Sequence, residues 1–149
     1  MGEAELERKN DVPSVSRRSA APDAMAPDGS EIRLLVDWRQ GAGRASLCEV
    51  TLPPEQVSRP VSHRGVEEIW YILEGHGRVW RCPPGVEAGA VAPIEVAPGD
   101  ALTIPPRWRF QFSSGASAPL RFLCLTSPPW PGAGEAELAE TGGLGTPTL

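Results

Sequence analysis

Lysine is nearly missing from this chain of 149 residues. Lys9 is the only one, and Lys and Arg together number 14 against 19 Asp and Glu, a net charge of −5. With no basic surplus to neutralise phosphates, nucleic acid is not expected as a partner. The same shortage removes the polybasic patch that holds a protein to an anionic membrane surface. Long apolar runs are absent too, and none approaches the roughly 20 residues that cross a bilayer. The start, Met1–Asn10, has no apolar core of the signal-peptide kind. Cysteine is limited to Cys48, Cys82 and Cys124, an odd number without paired spacing, as in a reducing cytosol. These absences predict a cytoplasmic protein with neither a nucleic-acid nor a membrane partner.

Glycine and proline are plentiful, at 16 and 17 residues, close to the share at which disorder becomes a concern. They gather at the two ends and in turns. Residues 1–30 mix charge, Ser, Ala and Pro with almost no large apolar side chains; such a segment buries too little to offset its ordering entropy and reads as a disordered arm. Residues 128–149 read as a strap or tail. In it, Trp130 lies between prolines and can pin an extended segment onto the body, and Glu135–Glu140 can nucleate a helical turn.

Between the tails, residues 31–127 hold short β-type runs: Ile32–Trp38, Arg44–Leu52, Val57–His63, Glu67–Leu73, Gly77–Cys82, Val91–Ala97, Ala101–Ile104, Trp108–Phe112 and Leu120–Thr126. Gly, Pro or Asp punctuates each boundary, and no long window has a 3.6-residue period. Many short strands in about 100 residues predict an all-β sandwich or small barrel.

The stretch from Val61 to Gly77 carries the chemistry. A loop of residues 64 to 67 between two extended runs predicts a hairpin in which His63 faces Glu68 and Val61 faces Trp70 across the strands. The period of two then puts Val61, His63, Glu68, Trp70 and Ile72 on one face and Ile69, Tyr71 and Leu73 on the other. An imidazole beside a carboxylate has three readings. It is a metal half-site, an acid/base couple in which the carboxylate raises the histidine's proton affinity, or a hydrogen-bonded pair closing one end of a barrel. Phe110 and Phe112 share a face on a later strand, with Trp108 leading into it, and Gln111 has the opposite parity. No Asp or second Glu is expected on the His63–Glu68 face.

These residues resemble the cupin family. Its first motif, G-x5-H-x-H-x3,4-E-x6-G, is matched by His63, Glu68 and Gly75; the first half of its second motif, G-x5-P-x-G-x2-H-x3-N, is matched by Gly99 and Pro105. The resemblance covers most of residues 31–126 and implies a double-stranded β-helix, the small jelly-roll barrel. Metal-binding cupins use both histidines of the first motif, its glutamate and the histidine of the second. Here the first of these positions is Val61 and the last is Phe110, while Glu55, Arg107 and Ser114 replace the opening Gly, second Gly and closing Asn. Two of four ligand positions are apolar. The only other histidine, His76, falls in the Gly75-His76-Gly77 turn, where it aims at solvent.

The expectation is therefore a cupin barrel with no tightly bound metal and no cofactor, binding a small organic metabolite. Its pocket is expected to be walled by His63, Glu68, Val61, Trp70, Ile72, Trp108, Phe110 and Phe112. The rival reading is an enzyme: an isomerase, epimerase or cyclase with His63 and Glu68 as catalytic acid and base, or a metal-dependent dioxygenase. Arg107 and Arg109 are candidates for pairing with Glu68 or an anion, although parity favours the surface for Arg109. Cupins commonly pair through sheet edges, so the resemblance implies a homodimer, with Ile69, Tyr71 and Leu73 suited to the interface.

Overall fold

The computed structural model describes residues 12–149. Eleven strands run in chain order: β1 (Ala24–Met25), β2 (Glu31–Val36), β3 (Ser46–Leu52), β4 (Val61–His63), β5 (Glu67–Glu74), β6 (Gly77–Cys82), β7 (Ile94–Val96), β8 (Ala101–Ile104), β9 (Arg109–Ser114), β10 (Leu120–Ser127) and β11 (Ala136–Leu138). They form two antiparallel sheets packed face to face, in the orders β1-β2-β3-β10-β5-β8 and β11-β4-β9-β6-β7. This is the all-β double-stranded β-helix that the motifs imply.

Strict alternation in β5 and β10 shows why these sequences become strands. Glu68, Trp70 and Ile72 are buried while Glu67, Ile69 and Tyr71 are exposed; Leu120, Phe122, Cys124 and Thr126 are likewise buried, with half-buried residues between them. The inner faces meet in a core of Val50, Leu52, Trp70, Ile72, Phe122 and their opposites Val61, Val79, Phe110 and Phe112. Trp70 stacks on Phe122 with centroids 4.0 Å apart and receives Phe110 and Phe112 edge-on at 5.7 and 5.3 Å. The turn after β5 needs glycine. Gly75 has φ +81°, and a Cβ there would lie 2.0 Å from the Pro119 carbonyl oxygen.

The two tails are built differently from expectation. Of the expected N-terminal arm, residues 1–11 lie outside the described residues. The rest is attached: Arg33 donates to the carbonyls of Ser19 and Ala20, Arg18 pairs with Glu49 at 2.8 Å, and Ala24–Met25 adds a strand beside β2. Backbone and charge pairing hold this segment where apolar content alone does not. At the other end, Glu135–Glu140 makes no helical turn. Ala136–Leu138 is instead an edge strand whose Ala136 and Leu138 pair with His63 and Val61.

The expected hairpin at residues 64–67 is also corrected. β4 and β5 belong to different sheets, so Arg64–Val66 is a corner that carries the chain across the sandwich rather than a turn between paired strands. Val61 pairs with Phe110, while Glu68 lies between Thr126 and Ile104. Local spacing does not distinguish a hairpin from a sheet-to-sheet corner, because both reverse the chain within a few residues. The expected run Val57–His63 begins its strand only at Val61, Val57 making an isolated bridge to Ser113.

Candidate functional site

The sandwich encloses a cavity of about 380 Å³. One wall is β4 and β9, bringing Val61, His63, Phe110 and Phe112; the other is β3, β5 and β10, bringing Cys48, Glu68, Trp70, Phe122 and Cys124. His63 and Glu68 are each only 7% exposed and approach across the sheet interface, Nδ1 to Oε2, at 3.5 Å. The expectation that the two share one face of a hairpin is corrected: both side chains point inward, but from facing sheets.

The imidazole lies between two rings, with Phe110 edge-on at 5.2 Å and Trp130 at 4.9 Å. Trp130 is held by its backbone N–H, which donates to Ser46 Oγ, so the strap does lie over the site. His63 Nδ1 is buried and has no hydrogen-bond partner among the described residues; its 3.5 Å approach to Glu68 is not a hydrogen bond. Burial pulls the His63 pKa down to about 4, against a smaller opposing effect of the Glu135 carboxylate. The carboxylate-assisted rise expected for an acid/base couple is therefore reversed: removing the ring from water outweighs the attraction of nearby charge.

Glu68 moves the other way. Burial pushes its pKa up to about 7, Asp28 adds to the rise, and the Trp70 indole N–H (2.9 Å to Oε1) and the Cys124 thiol oppose it. Burial thus favours the neutral form of both partners.

Three acidic residues that sequence reasoning passed over complete the surroundings. Asp28 and Asp37 line the cavity, correcting the expectation that no further acid would do so; Asp37 is paired with Arg39 at 2.8 Å. For Asp28, Oδ1 accepts from the Ser30 N–H at 2.9 Å and Ser30 Oγ at 2.6 Å, and burial raises its pKa. Glu135 caps the corner beneath His63, accepting from the N–H groups of Gly65 (2.8 Å) and Val66 (3.2 Å). Asp28 and Glu135 come from segments read as tails. The Asp28–Gly29–Ser30 turn and the acid following Gly134 were the signals available.

Other expected wall residues lie elsewhere. Ile72 is wholly buried in the core beyond the cavity. Trp108 lines a separate hollow of about 260 Å³ with Arg81, Ile94 and Pro105. Arg109 turns outward, donating to the Val86 carbonyl and lying 5.4 Å over the Trp80 ring; Arg107 is exposed at φ +70°. Neither pairs with Glu68. His76 is exposed in its turn. Gln111 is fully buried on the outer side of β9, where it bonds Ser58, Leu144 and Gly145 and anchors the C-terminal segment.

The donor set at the motif positions does not fit a resident metal ion. Val61 and Phe110 pair across β4 and β9 where the family's motifs carry histidines, which leaves hydrocarbon at two of four ligand positions. Among the described residues no three His, Cys, Asp or Glu side chains converge as a metal-binding group.

Comparisons with known proteins agree with the architecture. An uncharacterized protein of Methanocaldococcus jannaschii is 33% identical over 104 residues, covering 69% of this chain and 77% of its own. The polyketide cyclase RemF from Streptomyces resistomycificus superposes with a TM-score of 0.62 at 24% identity, covering 87% of this chain and 82% of RemF. Pac13, a nucleoside dehydratase from Streptomyces, superposes with a TM-score of 0.59 at 12% identity, covering 87% and 91%. At such identities the two structures speak for the fold alone. No helix among the described residues is long and apolar enough to cross a membrane. The cupin domain profile matches residues 48–126, and with it the paired sheets and the His63–Glu68 motif positions place this chain in the cupin family.

Proposed function

We propose that the chain binds a small organic molecule in the cavity between its sheets, without a tightly bound metal. The observation that carries this reading is the buried, unpartnered His63 Nδ1 at the wall of a largely apolar hollow of about 380 Å³. Leaving a buried polar atom unpaired costs about 1–3 kcal/mol, and a ligand supplying its partner recovers that cost. A hollow of this volume with few polar groups suits a small organic ligand.

A second reading has its own support. The buried imidazole and carboxyl have proton affinities displaced in opposite directions, His63 to about 4 and Glu68 to about 7. Such a separation suits a neutral base beside a protonated acid. The reaction class is then proton-transfer chemistry such as cyclisation or elimination, to which a cyclase and a dehydratase belong.

One experiment addresses both. In a thermal-shift screen of metabolites, a ligand at about 100 times its Kd adds about 2.7 kcal/mol, or about 5–10 °C in Tm for a chain of this size. Failure of every compound to shift Tm returns the cavity to a space-filling role. For a compound that does bind, product analysis with His63→Asn and Glu68→Gln separates the readings. Catalysis predicts that turnover disappears while the thermal shift survives, and pure binding predicts no turnover in any variant.

We propose further that the chain is a cytoplasmic homodimer through the outer face of β5. Ile69 and Tyr71 are 49% and 48% exposed there, a costly display unless covered. Tyr71→Asp is expected to halve the mass measured by light scattering; an unchanged dimer, or a wild-type monomer, removes this interface.

A further inference from the structure

Beside the hydroxyls of Ser30, Ser46 and Thr126, the cavity carries ionisable groups that are acidic but for one histidine and its cysteines. Asp28, Asp37 and Glu68 line it, together with His63, and neither lysine nor arginine does. Both arginines closest in sequence to the second motif point elsewhere, and Arg18 and Arg121 are engaged with Glu49 on the outer face. Three groups stand ready to accept hydrogen bonds. They are His63 Nδ1, without a partner; the Glu68 carboxyl, which takes the Trp70 N–H on Oε1 and has only the Cys124 thiol as a further donor; and Asp28 Oδ2, both Ser30 bonds falling on Oδ1. Around them are six aromatic side chains, those of Trp38, Trp70, Phe110, Phe112, Phe122 and Trp130.

Asp37 is already paired with Arg39 at 2.8 Å, but no cation lines the cavity beside Glu68 and Asp28, so an anionic ligand would meet two buried carboxyls there, whereas a neutral ligand would leave acceptors competing for few donors. A positively charged nitrogen bearing several N–H groups matches these groups: it donates to carboxylate and imidazole, and aromatic faces attract cations through their quadrupoles. From the cavity's lining we infer that the ligand is an organic cation, an amine or amidine on an apolar body, with its nitrogen held among His63 Nδ1, Glu68 and Asp28. This assignment rests on the binding reading above and names its ligand class.

Proton uptake and release follow from the same geometry. The groups facing Glu68 are His63 from β4, Asp28 from the segment before β2, and Cys48 and Cys124 from β3 and β10. A cation beside Glu68 favours its ionised form. Binding near neutral pH therefore expels a proton into the buffer.

Isothermal titration of the full-length chain at pH 7 with three isosteres is decisive: phenethylamine as cation, 2-phenylethanol as neutral analogue and 3-phenylpropionate as anion. The amine is expected to bind at least about tenfold more tightly than the alcohol, and the anion more weakly than either. The amine's heat is expected to change between phosphate and Tris in proportion to buffer ionisation enthalpy, reporting proton release. Glu68→Gln should narrow the gap between amine and alcohol and reduce the buffer dependence, with circular dichroism confirming the fold. Asp28→Asn provides a second variant if the first fails to fold. Alcohol or anion binding as tightly as the amine overturns the cation assignment and leaves the binding reading standing. Absence of heat from all three probes removes the cation assignment, and the wider metabolite screen then judges the binding reading separately.

Discussion

Replacing Trp70 with alanine is expected to lower the free energy of unfolding by about 3–5 kcal/mol. The indole is 1% exposed, stacks on Phe122, and is met edge-on by Phe110 and Phe112. It therefore touches rings from both sheets at once. Removing it opens a hole that rigid strands cannot close, so the cavity penalty adds to the lost transfer energy. It also strips Glu68 of its indole N–H, at 2.9 Å the nearest donor to that carboxyl. Trp70→Phe keeps most of the stack and loses the donor, and should cost only about 1–2 kcal/mol. Urea titrations of both variants check the pair. A loss below about 1 kcal/mol for Trp70→Ala would show that Trp70 does not hold the sheets together.

The second large effect is in pH. Glu68 titrates at about 7 in the folded chain against an ordinary 4.5, so between those values the folded state keeps a proton that the unfolded chain has released. Its stabilising contribution is complete below pH 4.5 and is lost as the pH rises through 7. A displacement of this size corresponds to roughly 3 kcal/mol. Glu68→Gln has no proton to lose and can still accept from Trp70. It is expected to be more stable than wild type by roughly 3 kcal/mol at pH 9, and nearly equal to it at pH 4.5. His63 acts in the opposite sense, its pKa falling from 6.5 to about 4; it supports the fold above 6.5 and ceases to as the pH falls through 4. Asp28, with its raised pKa, has the same sign as Glu68. Both remain in the variant, so the difference between the two proteins isolates residue 68. A difference that stays constant from pH 4.5 to 9 would mean that Glu68 ionises as an ordinary surface acid.

Much of the architecture was legible because its signals are local. Alternation alone assigns inner and outer faces to Glu67–Glu74 and Leu120–Ser127, and motif spacing brings His63, Glu68, Val61 and Phe110 to one interior. What local pattern does not carry is the identity of neighbouring strands. The residues between His63 and Glu68 read as a hairpin because a short reversal between two apolar runs has the same signature whether the chain folds back or crosses to the facing sheet. Depth is equally hidden. Ile72 and Trp70 share a parity, but one lies against the cavity and the other beyond it. Asp28 and Glu135 were missed for a third reason. Composition reads their segments as tails, and hydrogen bonds to Ser30, Gly65 and Val66, rather than apolar burial, fix them in place. The buried Gln111 belongs with them, since an outward-facing position is covered only once the C-terminal segment arrives.

His63 and Glu68 stand on opposite sheets, linked directly only by the corner Arg64–Val66. Their separation is therefore a gauge of how far apart the two halves of the sandwich rest. The rings of Trp70 and Phe122 on one half, and of Phe110 and Phe112 on the other, act as spacers that set this width. Thinning Phe112 or Phe122, for which no contact with His63 or Glu68 is described, is therefore expected to retune the proton affinity of both groups by changing the width of the sandwich that separates them.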